Sequence, residues 1–199
     1  MATRTRYAII GTGNIGSALA ILFDRAGISV SIANTRGPDS IPEFGATVHA
    51  VTLEEALESD IIFVAIPFLA VEDLGKKLPN WDGKIVIDTT NAFYAPNAEA
   101  VLKGRLSSDF VGEVLPGAVI VKAFNQLPSK TLAAEVPSGQ GKRVIFVSSN
   151  SDDAGNEVAR LVAELGLAAV ELGRIDEGGR LIQAPNALVL RNLVEQPFA

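Results

Sequence analysis

Tyr7-Ala-Ile-Ile-Gly-Thr-Gly-Asn-Ile-Gly-Ser17 decides the fold, because an apolar run leads into three glycines and a helical pattern leads out of them. In that setting Gly11 permits a tight strand-to-helix turn, Gly13 lets the backbone approach a pyrophosphate, and Gly16 lets the helix pack closely on a sheet. Exposed amides at the helix start, with the positive end of the helix dipole, suit anionic phosphates. Three glycines alone could equally serve as a turn and a cap, so context matters. Val30, Ile32 and Ala33 follow as a second strand and complete a βαβ unit. The loop made by Gly11, Thr12, Gly13, Asn14, Ile15 and Gly16 is therefore a candidate dinucleotide site.

The end of that second strand bears on which dinucleotide is bound. NAD calls for an acidic side chain there, to accept hydrogen bonds from the ribose 2′-hydroxyl. The chain instead has Asn34, Thr35 and Arg36, followed by Gly37-Pro38. A guanidinium offers planar paired donors and keeps its charge, so Arg36 suits the 2′-phosphate of NADP. The alternative reading of Arg36 is a solvated loop residue.

Composition narrows the function classes. With 199 residues the chain has room for one sizeable core, or for one domain with an appended lobe. A formal charge of −6 without a lysine or arginine cluster argues against nucleic-acid binding. There is no cysteine, so disulfides, thiolate chemistry and thiolate metal sites are ruled out, and the single His49 rules out a multi-histidine metal centre. Arg4 and Arg6 before an apolar run resemble a leader segment, but Gly11 to Gly16 interrupts it and Asp24-Arg25 follows. The longest strongly apolar stretch, Ile61 to Val71, contains Pro67 and is too short to span a bilayer. The expectation is a soluble cytoplasmic protein.

Further along, a third strand is expected around Thr47 to Ala50, and Thr52-Leu-Glu-Glu55 has the form of a capping box. The uninterrupted apolar block Ile61 to Ile66 reads as a central parallel strand covered on both faces. Lys84 to Asp88 and Ala118 to Val121 are the fifth and sixth strands, each entered through a glycine turn. Alternation of strands and helices predicts an α/β fold with a doubly wound parallel sheet, the Rossmann fold, and right-handed crossovers. After it come a strand at Arg143 to Val147, a helix at Asp152 to Leu165, a strand at Ala168 to Leu172, and an apolar helical pattern at Leu181 to Leu193. We divide the chain into residues 1–122, an NADP-binding domain, and 123–199, a small C-terminal α/β lobe that packs over the cofactor. Ligands in such sheets lie beyond the carboxyl ends of the strands. Those ends are Ile10 to Asn14, Asn34 to Arg36, Ala65 to Phe68, Asp88 to Asn91 and Ala123 to Leu127.

Four segments, Ile10-Gly-Thr-Gly-Asn-Ile-Gly16, Asn34-Thr-Arg36, Val64-Ala-Ile-Pro67 and Val121-Lys-Ala-Phe-Asn125, resemble the F420-dependent NADP reductases, which act on the deazaflavin coenzyme F420. They are also similar to the oxidoreductase domain of the six-transmembrane metalloreductases, and no membrane part like theirs is expected here. The resemblance implies hydride transfer between the nicotinamide of NADP(H) and a stacked flavin-type ring, with F420, FMN or FAD as the small-molecule co-substrate. Such a step asks the protein mainly for orientation. No acid–base dyad is expected, and no catalytic side chain is assigned with certainty.

By their places after the strands, Ala65, Ile66 and Pro67 should border the pyrophosphate and nicotinamide ribose, with Thr89, Thr90 and Asn91 beneath the nicotinamide. Ala123 and Asn125 follow the sixth strand. The Asn125 amide is either an orienting group for the carboxamide or flavin, or a holder of its own loop. Asp88 either touches a ribose or caps the next segment. His49 should lie away from the crevice, and Trp81 should anchor a surface loop. The terminal helix is the candidate contact of a homodimer. Two other readings compete: an imine or carbonyl reductase, which would need a longer helical tail than the residues remaining here, and a non-catalytic NADP sensor, which would lack a second ligand pocket.

Overall fold

A computed structural model describes residues 5–196. Arg4, and residues 197–199 of the expected C-terminal lobe, lie outside them. The strands are β1 (Tyr7–Ile10), β2 (Val30–Ala33), β3 (Val48–Ala50), β4 (Ile61–Val64), β5 (Ile85–Asp88), β6 (Val119–Ala123), β7 (Lys142–Ser149), β8 (Ala168–Glu171) and β9 (Val194–Glu195). The α-helices are α1 (Asn14–Ala26), α2 (Leu53–Ala56), α3 (Val71–Gly75), α4 (Ala98–Leu102), α5 (Ser107–Val114), α6 (Ser129–Ala133), α7 (Asp152–Glu164) and α8 (Gly179–Ile182).

One sheet runs in the order β3-β2-β1-β4-β5-β6-β7-β8. Neighbours from β3 through β6 are parallel, in keeping with the alternating strand and helix pattern. All four residues of β4 are buried, as a central strand covered on both faces requires. Alternation sends Ile9, Phe63, Ile87 and Val121 into a core beneath α1 and α7, and Ile10, Ile62, Val64 and Val86 into a second core that includes Val71 of α3 and Val111 of α5. The fold is therefore three layers, helices on either face of a mostly parallel sheet.

Three expectations need correction. The sheet is not parallel throughout, because β7 runs antiparallel to β6. The chain between them contains only the short α6, which packs against α1 and supplies Ala133 O to accept a hydrogen bond from Arg25 at 2.9 Å. It turns back without crossing the sheet, and α7 then makes the next crossover so that β8 lies parallel to β7. The terminal helix over Leu181 to Leu193 does not form. Helix ends at Ile182, turns follow, and Val194 pairs with Arg143 in β9. Its backbone is satisfied by distant partners instead, such as Gln126 O, which accepts from Leu190 N at 2.7 Å. Trp81 is fully buried in the second core rather than on a surface loop, and its indole N–H reaches Gly75 O at 3.4 Å.

The capping box at α2 is complete, with Glu55 N donating to Thr52 Oγ1 at 3.2 Å and Thr52 N donating to Glu55 Oε2 at 2.9 Å. Among the described residues no helix is long and apolar enough to cross a membrane.

Candidate functional site

The glycine loop shows why each glycine stands where it does. Gly11 has φ +112°, and a Cβ there would sit 2.2 Å from Ala65 O. At Gly16 a Cβ would sit 1.9 Å from Gly11 O. Both glycines thus serve close backbone packing. Gly13 differs, since a Cβ built there meets nothing within 4 Å. It is exposed, and it caps α1 without any side-chain cap and without an acidic residue in the first turn. The amides of that turn are left to water or to an anion.

Asn34 joins this loop to the next. Its Nδ2 donates to Thr12 Oγ1 and to Ser40 Oγ, each at 3.0 Å, while its Oδ1 accepts from Arg36 N at 2.8 Å. The amide therefore builds the rim rather than projecting from it. Thr35 and Arg36 are exposed, and among the described residues the Arg36 guanidinium has no hydrogen-bond or ion-pair partner. The Ser40 hydroxyl, which also donates to Gly37 O at 2.8 Å, completes this rim.

A cleft of about 650 Å³ opens at the carboxyl ends of the strands. The sequence-predicted residues Gly13, Asn14, Ile15, Ala65, Ile66, Pro67, Thr89, Thr90, Asn91 and Asn125 all line it. Phe68, Leu69, Tyr94, Leu127, Val189 and Leu190 add apolar wall. Gly11 and Gly16 are buried behind the loop, and Ala123 is fully buried in the core rather than brought to the cleft. Thr12, Asn34, Thr35 and Arg36 form the adjoining rim. His49 is exposed on β3, away from the cleft.

Asn125 settles partly into its loop-holding role. Its Nδ2 donates to Asn91 Oδ1 at 3.0 Å and to Ile182 O at 2.6 Å, and Asn91 Nδ2 returns a bond to Asn125 O at 2.8 Å. Its own Oδ1 is buried and has no hydrogen-bond partner among the described residues, in a residue that lines the cleft. Phe124, just before it, is held at φ +60°, a conformation that costs a bulky residue about 1–3 kcal/mol. Burial and an edge contact with Phe63 at 5.5 Å hold it there.

Asp88 is fully buried, and its Oδ1 accepts from Thr90 N of the following segment at 2.9 Å. Register places it opposite Lys122 on the neighbouring strand, both side chains buried, with Nζ 3.0 Å from Oδ2. Burial pushes the Asp88 carboxyl up. The opposing pull of the Lys122 ammonium, with hydrogen bonds from Thr90, Ser108 and Lys122, leaves it below its usual range. Lys122 had no role assigned from sequence. The available signal was its inward parity on a buried strand, beside an inward aspartate on the next.

The fit to a dinucleotide rests on three features: a helix start with no side-chain cap, an open position at Gly13, and an Arg36 guanidinium unpaired among the described residues. Comparisons agree with it. Residues 6–92 match the family described as NADP oxidoreductase coenzyme F420-dependent. The crystal structure of a hypothetical protein from Sinorhizobium meliloti is 44% identical, with a TM-score of 0.91 and 97% of each chain covered. A protein from Arthrobacter sp. FB24, provisionally classed as an F420-dependent NADP-reductase, shares the fold at 24% identity, with a TM-score of 0.67 and coverage of 87% of this chain and 86% of that one. Metalloreductase STEAP2 of Mus musculus is 29% identical over 92% of this chain, which spans 36% of that relative's length. Within this chain, residues 6–92 carry the segment that matches the coenzyme F420-dependent NADP oxidoreductase family.

Proposed function

We propose that this protein is an NADP(H)-dependent oxidoreductase that passes a hydride between the nicotinamide and a flavin or deazaflavin ring. The observation that carries the reading is the single continuous path from the uncapped start of α1, through the cleft, to Thr89, Thr90, Asn91 and Asn125, with Arg36 on the adjoining rim. Bound NADPH supplies the hydride. The chain's own residues bind and orient: amides of the first turn of α1 hold the pyrophosphate, and Arg36 holds the 2′-phosphate. Ala65, Ile66 and Pro67 wall the middle of the nucleotide, and the free Oδ1 of Asn125 accepts from a carboxamide.

The rest of the cleft suits a flat apolar partner. Ile66, Leu69, Leu127, Val189 and Leu190 exclude water, and Tyr94 offers a ring at the mouth. No lining side chain is a carboxylate, ammonium, guanidinium or imidazole, which suits ring-to-ring transfer governed by position. The segment 123–196 acts as the second wall over the cofactor. Its exposed Leu181, Leu190, Leu193 and Val194 support a homodimer contact, which light scattering on the purified protein tests.

The decisive assay follows NADPH oxidation with coenzyme F420, FMN, FAD and a cyclic imine in parallel. Turnover with a flavin-type ring is expected. Turnover with the imine alone overturns the reading in favour of an imine reductase, and tight NADPH binding without any turnover makes the protein a sensor.

A further inference from the structure

We propose that the buried Asp88–Lys122 pair is a positioning device that fixes Thr90 as a hydrogen-bond acceptor facing the carboxamide end of the nicotinamide. The proposal rests on the hydride-transfer reading of the cleft and assigns work to two residues that reading leaves unused.

The network is closed around one residue. Asp88 Oδ1 accepts from Thr90 N at 2.9 Å and from Thr90 Oγ1 at 2.7 Å. Its Oδ2 accepts from Ser108 Oγ at 2.7 Å and from Lys122 Nζ at 3.0 Å. Lys122 Nζ then donates to Thr90 O at 2.6 Å. The amide, the carbonyl and the hydroxyl of Thr90 are thus all held by one ion pair. The residues beside it are tied to other strand ends, Thr89 Oγ1 donating to Val64 O at 2.9 Å and Asn91 Nδ2 to Asn125 O at 2.8 Å.

Polarity follows from the chemistry of the groups. An ionised carboxylate only accepts, so the Thr90 hydroxyl commits its one proton to Asp88 and can only accept from anything else. Asn125, which lines the same cleft, carries a buried Oδ1 acceptor without a partner among the described residues. Two acceptors match the NH₂ of a carboxamide and oppose a carboxylate in its place. A purely structural pair gains little by comparison, since two apolar side chains commonly fill such a site as well or better. Here the bonds converge on a residue that lines the cleft.

The test compares binding of NADP⁺ with that of its analogue carrying a carboxylate for the carboxamide, by calorimetry, alongside melting temperature and kcat. Wild-type protein should prefer the carboxamide form by roughly tenfold or more, the range expected when polar partners mismatch. In Asp88→Asn/Lys122→Met, which removes both charges together, the melting temperature should recover most of what either single variant loses. Discrimination should nevertheless fall to about threefold or less and kcat by about tenfold, because the clamp on Thr90 is gone. A folded double variant with wild-type discrimination and kcat overturns the proposal. Thr90→Val keeps the ion pair and its Ser108 bond, so it decides the matter if the double variant does not fold: unchanged discrimination there also overturns it. Wild-type protein that binds neither nucleotide defeats the cofactor site itself, a separate failure.

Discussion

Residues 7–66 and residues 123–196 wall the same cleft by different means. In the first region, side-chain period and backbone geometry do the building: β1, β2 and β4 alternate between two cores, and Gly11 and Gly16 let backbones touch. In the second, buried polar side chains hold irregular backbone. Asn125 ties Asn91 and Ile182, and Gln126 bonds Val144 O through its side chain at 3.0 Å and receives Leu190 N at its carbonyl. The contrast teaches that one wall is set locally and the other by pairs far apart in sequence.

Gly16→Ala should break the first region most. Its new methyl carbon meets a carbonyl that cannot move aside, so a loss of about 3 kcal/mol or more in urea unfolding is expected. Gly13→Ala sharpens the point: with open space around it, stability should stay within about 1 kcal/mol while NADPH affinity falls. If both variants unfold alike, the division of labour within the loop is wrong.

The strand ends between the two regions are tested by Lys122→Met, which leaves a buried carboxylate unpaired and should cost about 3–5 kcal/mol. Acid refines this. Because the folded-state pKa of Asp88 is lowered, its stabilisation is complete above the ordinary carboxylate range and is lost as pH falls through the lowered value. The stability gap between wild type and Asp88→Asn should therefore narrow on acidification, and a gap independent of pH would contradict the pairing.

Arg36→Asp should raise the Kd for NADPH by roughly 100-fold and that for NADH far less, as loss of a charge-assisted phosphate contact implies. Equal losses for the two would mean that Arg36 does not read the phosphate. The smallest expected effect is Thr52→Ala at the capping box, about 1 kcal/mol by urea unfolding with binding unchanged.

Much of the strand framework and the position of the cleft followed from residue order alone, because apolar alternation and glycine punctuation are local signals. Residues after β1, β4, β5 and β6 meet in one cleft for that reason. The apolar stripe at Leu181 to Leu193 misled, since a helical period also arises where side chains pack singly from turns. Its backbone found partners such as Gln126 O, more than sixty residues away in the chain.

The amino-acid order by itself determined a sheet wound around a glycine turn, with a guanidinium rather than a carboxylate beyond β2. Tertiary structure alone decided that β7 reverses, that Ala123 is core, and that Asp88 and Lys122 close on Thr90. The physical reason is range. Period and turn chemistry act over a few residues, whereas a buried charge declares its purpose only when register brings its partner alongside.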